Sequence, residues 1–115
     1  MNESAQQWLA TRASAPGTLA CGLRQPDGNC VSHSVDETFP AATIDGILAH
    51  AENFTGAVFA ELSEPRWSTW AFEHGQIRFV KRPDGWCLAW AARADAASAL
   101  DSLSLEFLSA PLNAL

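Results

Sequence analysis

The chain is short of cations. It has one lysine, Lys81, among seven Lys and Arg residues, against thirteen carboxylates, and carries a net charge of −6 over 115 residues. A surface that tracks phosphates needs clustered Lys and Arg, so nucleic acid is not an expected partner. The same shortage speaks against an anionic membrane surface. Long apolar runs are missing too. No stretch approaches the roughly 18 apolar residues of a spanning helix, so no membrane partner is expected. The opening MNESAQQWLA has no basic segment followed by an apolar one, and no export signal is read there. Glycine-rich phosphate loops are absent as well, since Gly22 and Gly28 lack the strand-to-helix setting such loops need.

Cysteine is scarce and odd in number: Cys21, Cys30 and Cys87. In a chain without an export signal these are expected to be reduced thiols of a cytoplasmic protein. Structural zinc usually takes paired ligands at short spacing. Here Cys30-x-x-His33 is the only short pair, and an odd separation in a strand puts the two on opposite faces. No metal and no cofactor are expected. Carboxylates stand singly (Asp27, Asp36, Glu52, Asp84), which leaves no acid–base pair. His50 falls off the apolar stripe of its helix and His74 falls in a turn.

What is present is a globular composition, 48% apolar and 17% charged, of a size for one core and one domain over 1–115. Ser4-Ala5-Gln6-Gln7 is a capping pattern, and Ala5, Trp8 and Leu9 form a stripe. Together they predict a first helix of about three turns, ended by Pro16-Gly17. Thr18–Arg24 and Asn29–Thr38 read as strands. From Pro40 the period becomes helical, with Ile44, Ile47, Leu48, Ala51, Phe54, Val58 and Leu62 on one face of a helix reaching 62. Gly56 leaves a break open, with AVFAEL as a strand. The Asn53-Phe54-Thr55 glycosylation pattern lies inside that helix and is set aside. RWSTWAFE, QIRFVKR and WCLAWAA read as three more strands. Asp95 is then expected to cap a last helix with Leu100, Leu103 and Phe107 on one face, stopped by Pro111.

The stretch PDGNC at 26–30 returns as PDGWC at 83–87. Pro, Asp and Gly in this order suit a three-residue hairpin loop with a bulge at the glycine. In the first hairpin this pairs Leu23 with Val31, Cys21 with His33 and Leu19 with Val35, all on one face. In the second it pairs Phe79 with Ala89 and Ile77 with Ala91. A loop at His74-Gly75 pairs Phe72 with Ile77 and Trp70 with Phe79. The other face gathers Trp67, Val80, Trp86, Leu88 and Trp90, with Arg78 set against Trp90 for a cation–π contact. Cys21 opposite His33 raises a nucleophilic dyad, but both sit in a surface that wants to be covered. Five Trp and six Phe exceed the needs of a small core, and Trp67, Trp70 and Phe72 crowd one strand. Helices over both faces would account for them. So would a sheet edge that takes up another chain.

The element order and lengths over about Gln6 to Leu108 resemble the roadblock family, through the PDG hairpin, the long helix at 40–62, FEHGQIRF and WCLAWAARADA. The resemblance implies an α+β, profilin-like fold: a five-stranded antiparallel sheet between helices, in the order α-β-β-α-β-β-β-α. It implies a non-enzymatic module that dimerises by sheet edge and long helix, here through Trp67, Trp70, Phe72, Phe54 and Val58. A small Ras-like GTPase is the further partner it implies. A small acidic chaperone of secretion, binding an extended client, is the other class considered. Those proteins place three strands before the middle helix, where this sequence shows two.

Overall fold

Ser4 starts the structure twice over. It belongs to a two-residue strand, β1 (Glu3–Ser4), and its hydroxyl accepts the Gln7 amide at 3.1 Å to cap α1 (Ala5–Arg12). The computed structural model describes residues 3–50, 67–73 and 75–113. Helix α1 buries Ala5, Trp8 and Leu9, the stripe expected of it, but its eight residues fall short of three turns. The chain then turns through Gly17, at φ +85°, into the sheet.

That sheet has five antiparallel strands: β2 (Thr18–Arg24), β3 (Cys30–Ser34), β4 (Trp67–Phe72), β5 (Gly75–Lys81) and β6 (Cys87–Arg93). Their spatial order is β3-β2-β6-β5-β4. Residues 41–50 are helical and begin α2. The remainder of the expected helix to 62, the alternative strand and the Asn53 pattern lie outside the described residues. A 3-10 turn, Ala94–Ala96, leads into α3 (Ala97–Ser109). A short strand, β7 (Leu112–Asn113), pairs in parallel with β1 and brings the two ends of the described chain together. The two-stranded β1–β7 pair was not foreseen, because two residues carry no periodicity.

The repeated PDG is one turn used twice. Gln25 N–H donates to the Asn29 carbonyl at 2.8 Å, and Arg82 N–H donates to the Trp86 carbonyl at 2.8 Å. Gly28 and Gly85 both sit at φ +97°, where a side chain would be strained. The turns also touch, Gly85 packing against Pro26. The registers expected from them hold: Leu23 opposes Val31, Cys21 opposes His33, Phe79 opposes Ala89 and Ile77 opposes Ala91.

Four local expectations are corrected. Strand β3 ends at Ser34, because the Asp36 carboxylate takes the amide and hydroxyl of Thr38 and turns the chain. Leu19 does not share a face with Cys21 and Leu23. The ladder slips between Thr18 and Ala20, and this bulge sends Leu19 to the α2 side with Ala20. Strand β4 ends at Phe72 and β5 begins at Gly75, so Phe72 opposes Gly75 and Trp70 opposes Ile77. Gly75 is a ladder residue without positive φ, and a Cβ there would run into the Ala92 carbonyl. Asp95 does not cap α3: it lies in the 3-10 turn, and α3 starts at Ala97 behind Ala96, with no side-chain cap.

Two apolar layers sandwich the sheet. On one face α1 and α3 bring Trp8, Leu9, Leu100, Leu103 and Phe107 against Cys21, Leu23, Val80, Leu88 and Trp90. On the other Ile44 and Leu48 of α2 meet Leu19, Ala20, Phe79, Ala89 and Ala91. Strand β6 is buried along both faces from Cys87 to Ala92, as its unbroken apolar run predicts. Arg82 closes the far end of α3, donating to the carbonyls of Phe107 at 2.9 Å and Ala110 at 2.7 Å.

Candidate functional site

Strand β4 is an outer strand of the sheet, so one side of its backbone has no strand partner among the described residues. Its six residues, WSTWAF, include no charged side chain, the usual guard on such an edge. Trp67, Trp70 and Phe72 are each half-buried, and alternation divides them between the two faces. Trp67 packs on the α1–α3 layer, whereas Trp70 and Phe72 pack on the α2 layer. Phe54 and Val58, the helical partners expected for this edge, lie outside the described residues.

Arg78 ties the edge to the body. It is 5% exposed. It donates from Nε to Thr69 Oγ1 of β4 at 2.7 Å, and from its terminal nitrogens to Ser104 Oγ at 3.1 Å and Asp101 Oδ1 at 2.9 Å of α3. Its guanidinium lies 4.8 Å from the centre of the Trp67 ring. The sequence reading set this cation against Trp90. Trp90 is indeed its cross-strand neighbour, but the two-residue slip of β4 brings Trp67 within reach instead. With that register in hand, Arg78 beside Thr69 and Trp67 would have been legible.

At the other end of β4, Phe72 tilts against Phe39, ring centres 5.9 Å apart. Both line a cleft of about 630 Å³, together with Leu19, Asp36, Arg93 and Asp95. Hydrogen bonds from Thr38, side chain and then backbone, hold the Asp36 carboxyl below its ordinary range. No sequence motif marked this cleft, which gathers side chains from four separate segments.

The chemical candidates come out differently. Cys21 and His33 are cross-strand partners, but the thiol is fully buried, which pushes its pKa up to about 12, and His33 is exposed. A buried, protonated thiol is a poor nucleophile, and this arrangement speaks against a dyad. The cysteines are also dispersed, with Cys21 on the α1–α3 layer, Cys87 on the α2 layer and Cys30 exposed. Among the described residues no three of His, Cys, Asp and Glu gather as metal ligands. No described helix is long and apolar enough to cross a membrane.

Comparison with known proteins adds the fold. No family model matches the chain, and no curated protein does. Among solved structures it is similar to a Roadblock/LC7 domain from Streptomyces avermitilis, at 18% identity and a TM-score of 0.59, over 94% of this chain and 92% of that one. It is also similar to Myxococcus xanthus MglB, at 11% identity and a TM-score of 0.62, over 89% of this chain and 83% of that one. With five antiparallel strands between helices in the order α-β-β-α-β-β-β-α, the chain has the roadblock fold.

Proposed function

We propose that this chain is one domain over 1–115 that works by association, a non-enzymatic dimerisation and scaffold module of the cytoplasm. Its first partner is a second copy of itself. The observation that carries the reading is the β4 edge, three half-buried aromatics on an uncharged outer strand. Such an edge is an open invitation to another strand.

Magnitude says the edge does not act alone. An aromatic side chain buries about 150–250 Å² in full, and these three are already half-covered. A stable interface takes roughly 800 Å² from each partner, so β4 supplies less than half. The rest falls to the long helix, through Phe54 and Val58. Three free thiols agree with a reducing compartment. Among the described residues the five-stranded sheet takes two strands from before α2 and three from after it, which speaks against the secretion-chaperone alternative.

A small Ras-like GTPase is the further partner, carried over from the roadblock resemblance. Light scattering after size exclusion tests the dimer. The wild-type chain is expected at twice its 12.4 kDa mass, and Trp70→Glu as a monomer or as insoluble protein. A soluble Trp70→Glu dimer of unchanged mass counts against the reading. The GTPase is tested on wild-type protein, by passing it over small Ras-like GTPases loaded with GDP or a GTP analogue. Binding in neither state rejects that partner and leaves the dimer standing.

A further inference from the structure

The cleft beside Phe72 is walled by backbone that is already held in place. On one side the Leu19 carbonyl accepts the amides of Val35 at 2.9 Å and Asp36 at 3.0 Å. The Ser34 hydroxyl donates there to the carbonyls of Asp36 at 3.0 Å and Phe39 at 2.8 Å. On the other side the Arg93 amide donates to the Gly17 carbonyl at 2.8 Å. Gln76 Nε2 donates to the carbonyls of Arg93 at 3.4 Å and Ala94 at 3.3 Å. Walls tied down in this way need little ordering when a ligand arrives, which removes one of the costs of binding.

The lining combines three kinds of group. Leu19, Phe39 and Phe72 supply apolar surface, Arg93 a cation, and Asp36 and Asp95 two carboxylates. A cleft of about 630 Å³ suits a small organic molecule, whose sites are mostly apolar with a few convergent polar groups. Asp36 stays ionised at neutral pH, because Thr38 holds its carboxyl low and the Arg93 charge adds to the effect. Thr38 engages only Oδ1, through both its amide and its hydroxyl, so Oδ2 keeps acceptor capacity. Arg93 and Asp95 are exposed, and among the described residues neither side chain has a hydrogen-bonded partner.

Charge selects the occupant. A simple anion is drawn to Arg93 but pushed away by two carboxylates. A simple cation meets the reverse. A molecule carrying an ammonium and a carboxylate beside an apolar body satisfies all three parts of the lining at once. A second cleft, of about 460 Å³, shares Arg93 and Asp95 with the first. It leaves room for a zwitterion longer than one residue.

We propose that this cleft binds a small apolar zwitterion, an α-amino acid or a short peptide with an aromatic or branched side chain. Its carboxylate lies on Arg93, its ammonium on Asp36 or Asp95, and its side chain against Phe39 and Phe72. Phe72 is the one lining residue shared with the edge proposed for the dimer. The cleft is built from a single chain and does not depend on that reading.

Amide chemical shifts of the isotope-labelled chain test the site. The probes share one phenyl ring: L-phenylalanine, L-phenylalanyl-L-alanine, phenethylamine and 3-phenylpropanoate. The zwitterions are expected to move the amides of 36, 38, 39, 72 and 93–95, with the roughly millimolar affinity usual for so small a molecule. They should bind about tenfold more tightly than the amine or the acid, each of which loses an ion contact and keeps a repulsion. Tighter binding of the dipeptide than of phenylalanine identifies a peptide as the occupant, and the reverse order a free amino acid; either supports the site. In Arg93→Gln protein, altered only at an exposed side chain, the preference for phenylalanine over phenethylamine is expected to vanish. An unchanged preference there overturns the role of Arg93. Equal or tighter binding of the amine or the acid overturns the zwitterion. Shifts confined to other parts of the chain, or none up to about 20 mM, overturn the site. The dimer is read separately by light scattering, so its failure and the failure of this inference are distinguishable.

Discussion

Burial decides what Cys21 can do. Its place opposite His33 was readable from the first PDG turn, and taken alone it suggests a dyad. The fold then covers the thiol with the α1–α3 layer, and burial pushes its pKa up to about 12, which keeps it protonated at pH 7. Cys87 is also buried and raised, chiefly by the same desolvation, whereas Cys30 is exposed. Iodoacetamide at neutral pH is therefore expected to add one group to the folded protein, at Cys30, and three after denaturation. Peptide mapping that finds Cys21 modified as fast as Cys30 would restore the dyad.

At the scale of elements, glycine taught opposite lessons at different positions. Gly28 and Gly85 were recognised because a turn with positive φ needs them. Gly75 was misread as a turn residue, and its real role is closeness to the Ala92 carbonyl on the next strand, which no local pattern announces. Gly22 is of the second kind. A Cβ there would overlap Ile44 Cγ2 and crowd Leu48, so α2 rests directly on the backbone of β2. Gly22→Ala is expected to destabilise the protein by about 1–3 kcal/mol, as overpacking of a tight contact does. Urea unfolding should show a lower midpoint at unchanged slope. An unchanged midpoint would mean that α2 yields without cost. The α3 start carries the same moral, since Asp95 has the right identity for a cap but the 3-10 turn moves the helix past it.

For the whole molecule, the titrating groups bound the range of stability from both sides. Asp27 and Asp36 are held below the ordinary carboxylate value of 3.8, Asp27 first by the Asn29 amide and Asp36 first by the Thr38 hydroxyl. A depressed carboxylate stabilises the fold above its unfolded pKa, and that contribution is lost as pH falls through the folded value. Cys21 and Cys87 have the opposite sign. Their raised values stabilise the fold below the ordinary thiol value of 9, and the contribution fades as pH climbs from there, for Cys21 toward about 12. Melting temperatures are expected to form a plateau at neutral pH, falling below about pH 4 and above about pH 9. In Asp27→Asn/Asp36→Asn protein the acid fall should be shallower, and in Cys21→Ala/Cys87→Ala protein the alkaline fall should be. Limbs with the same slopes in those variants would assign the pH dependence to other groups.

The sequence by itself determined the fold class, the element order, both PDG turns and the registers those turns impose. These follow from interactions between neighbours in the chain, where hydrophobic period and turn stereochemistry act over a few residues. It also singled out Trp67, Trp70 and Phe72 as too many aromatics for one strand. Only the tertiary structure decided that this strand is outermost, that Leu19 crosses to the α2 face, and that Arg78 binds β4 to α3 across 9 and 23 residues of sequence. Those facts depend on which surfaces meet after the chain has closed on itself. No local preference encodes them, because each is set by packing between segments that are strangers in the sequence.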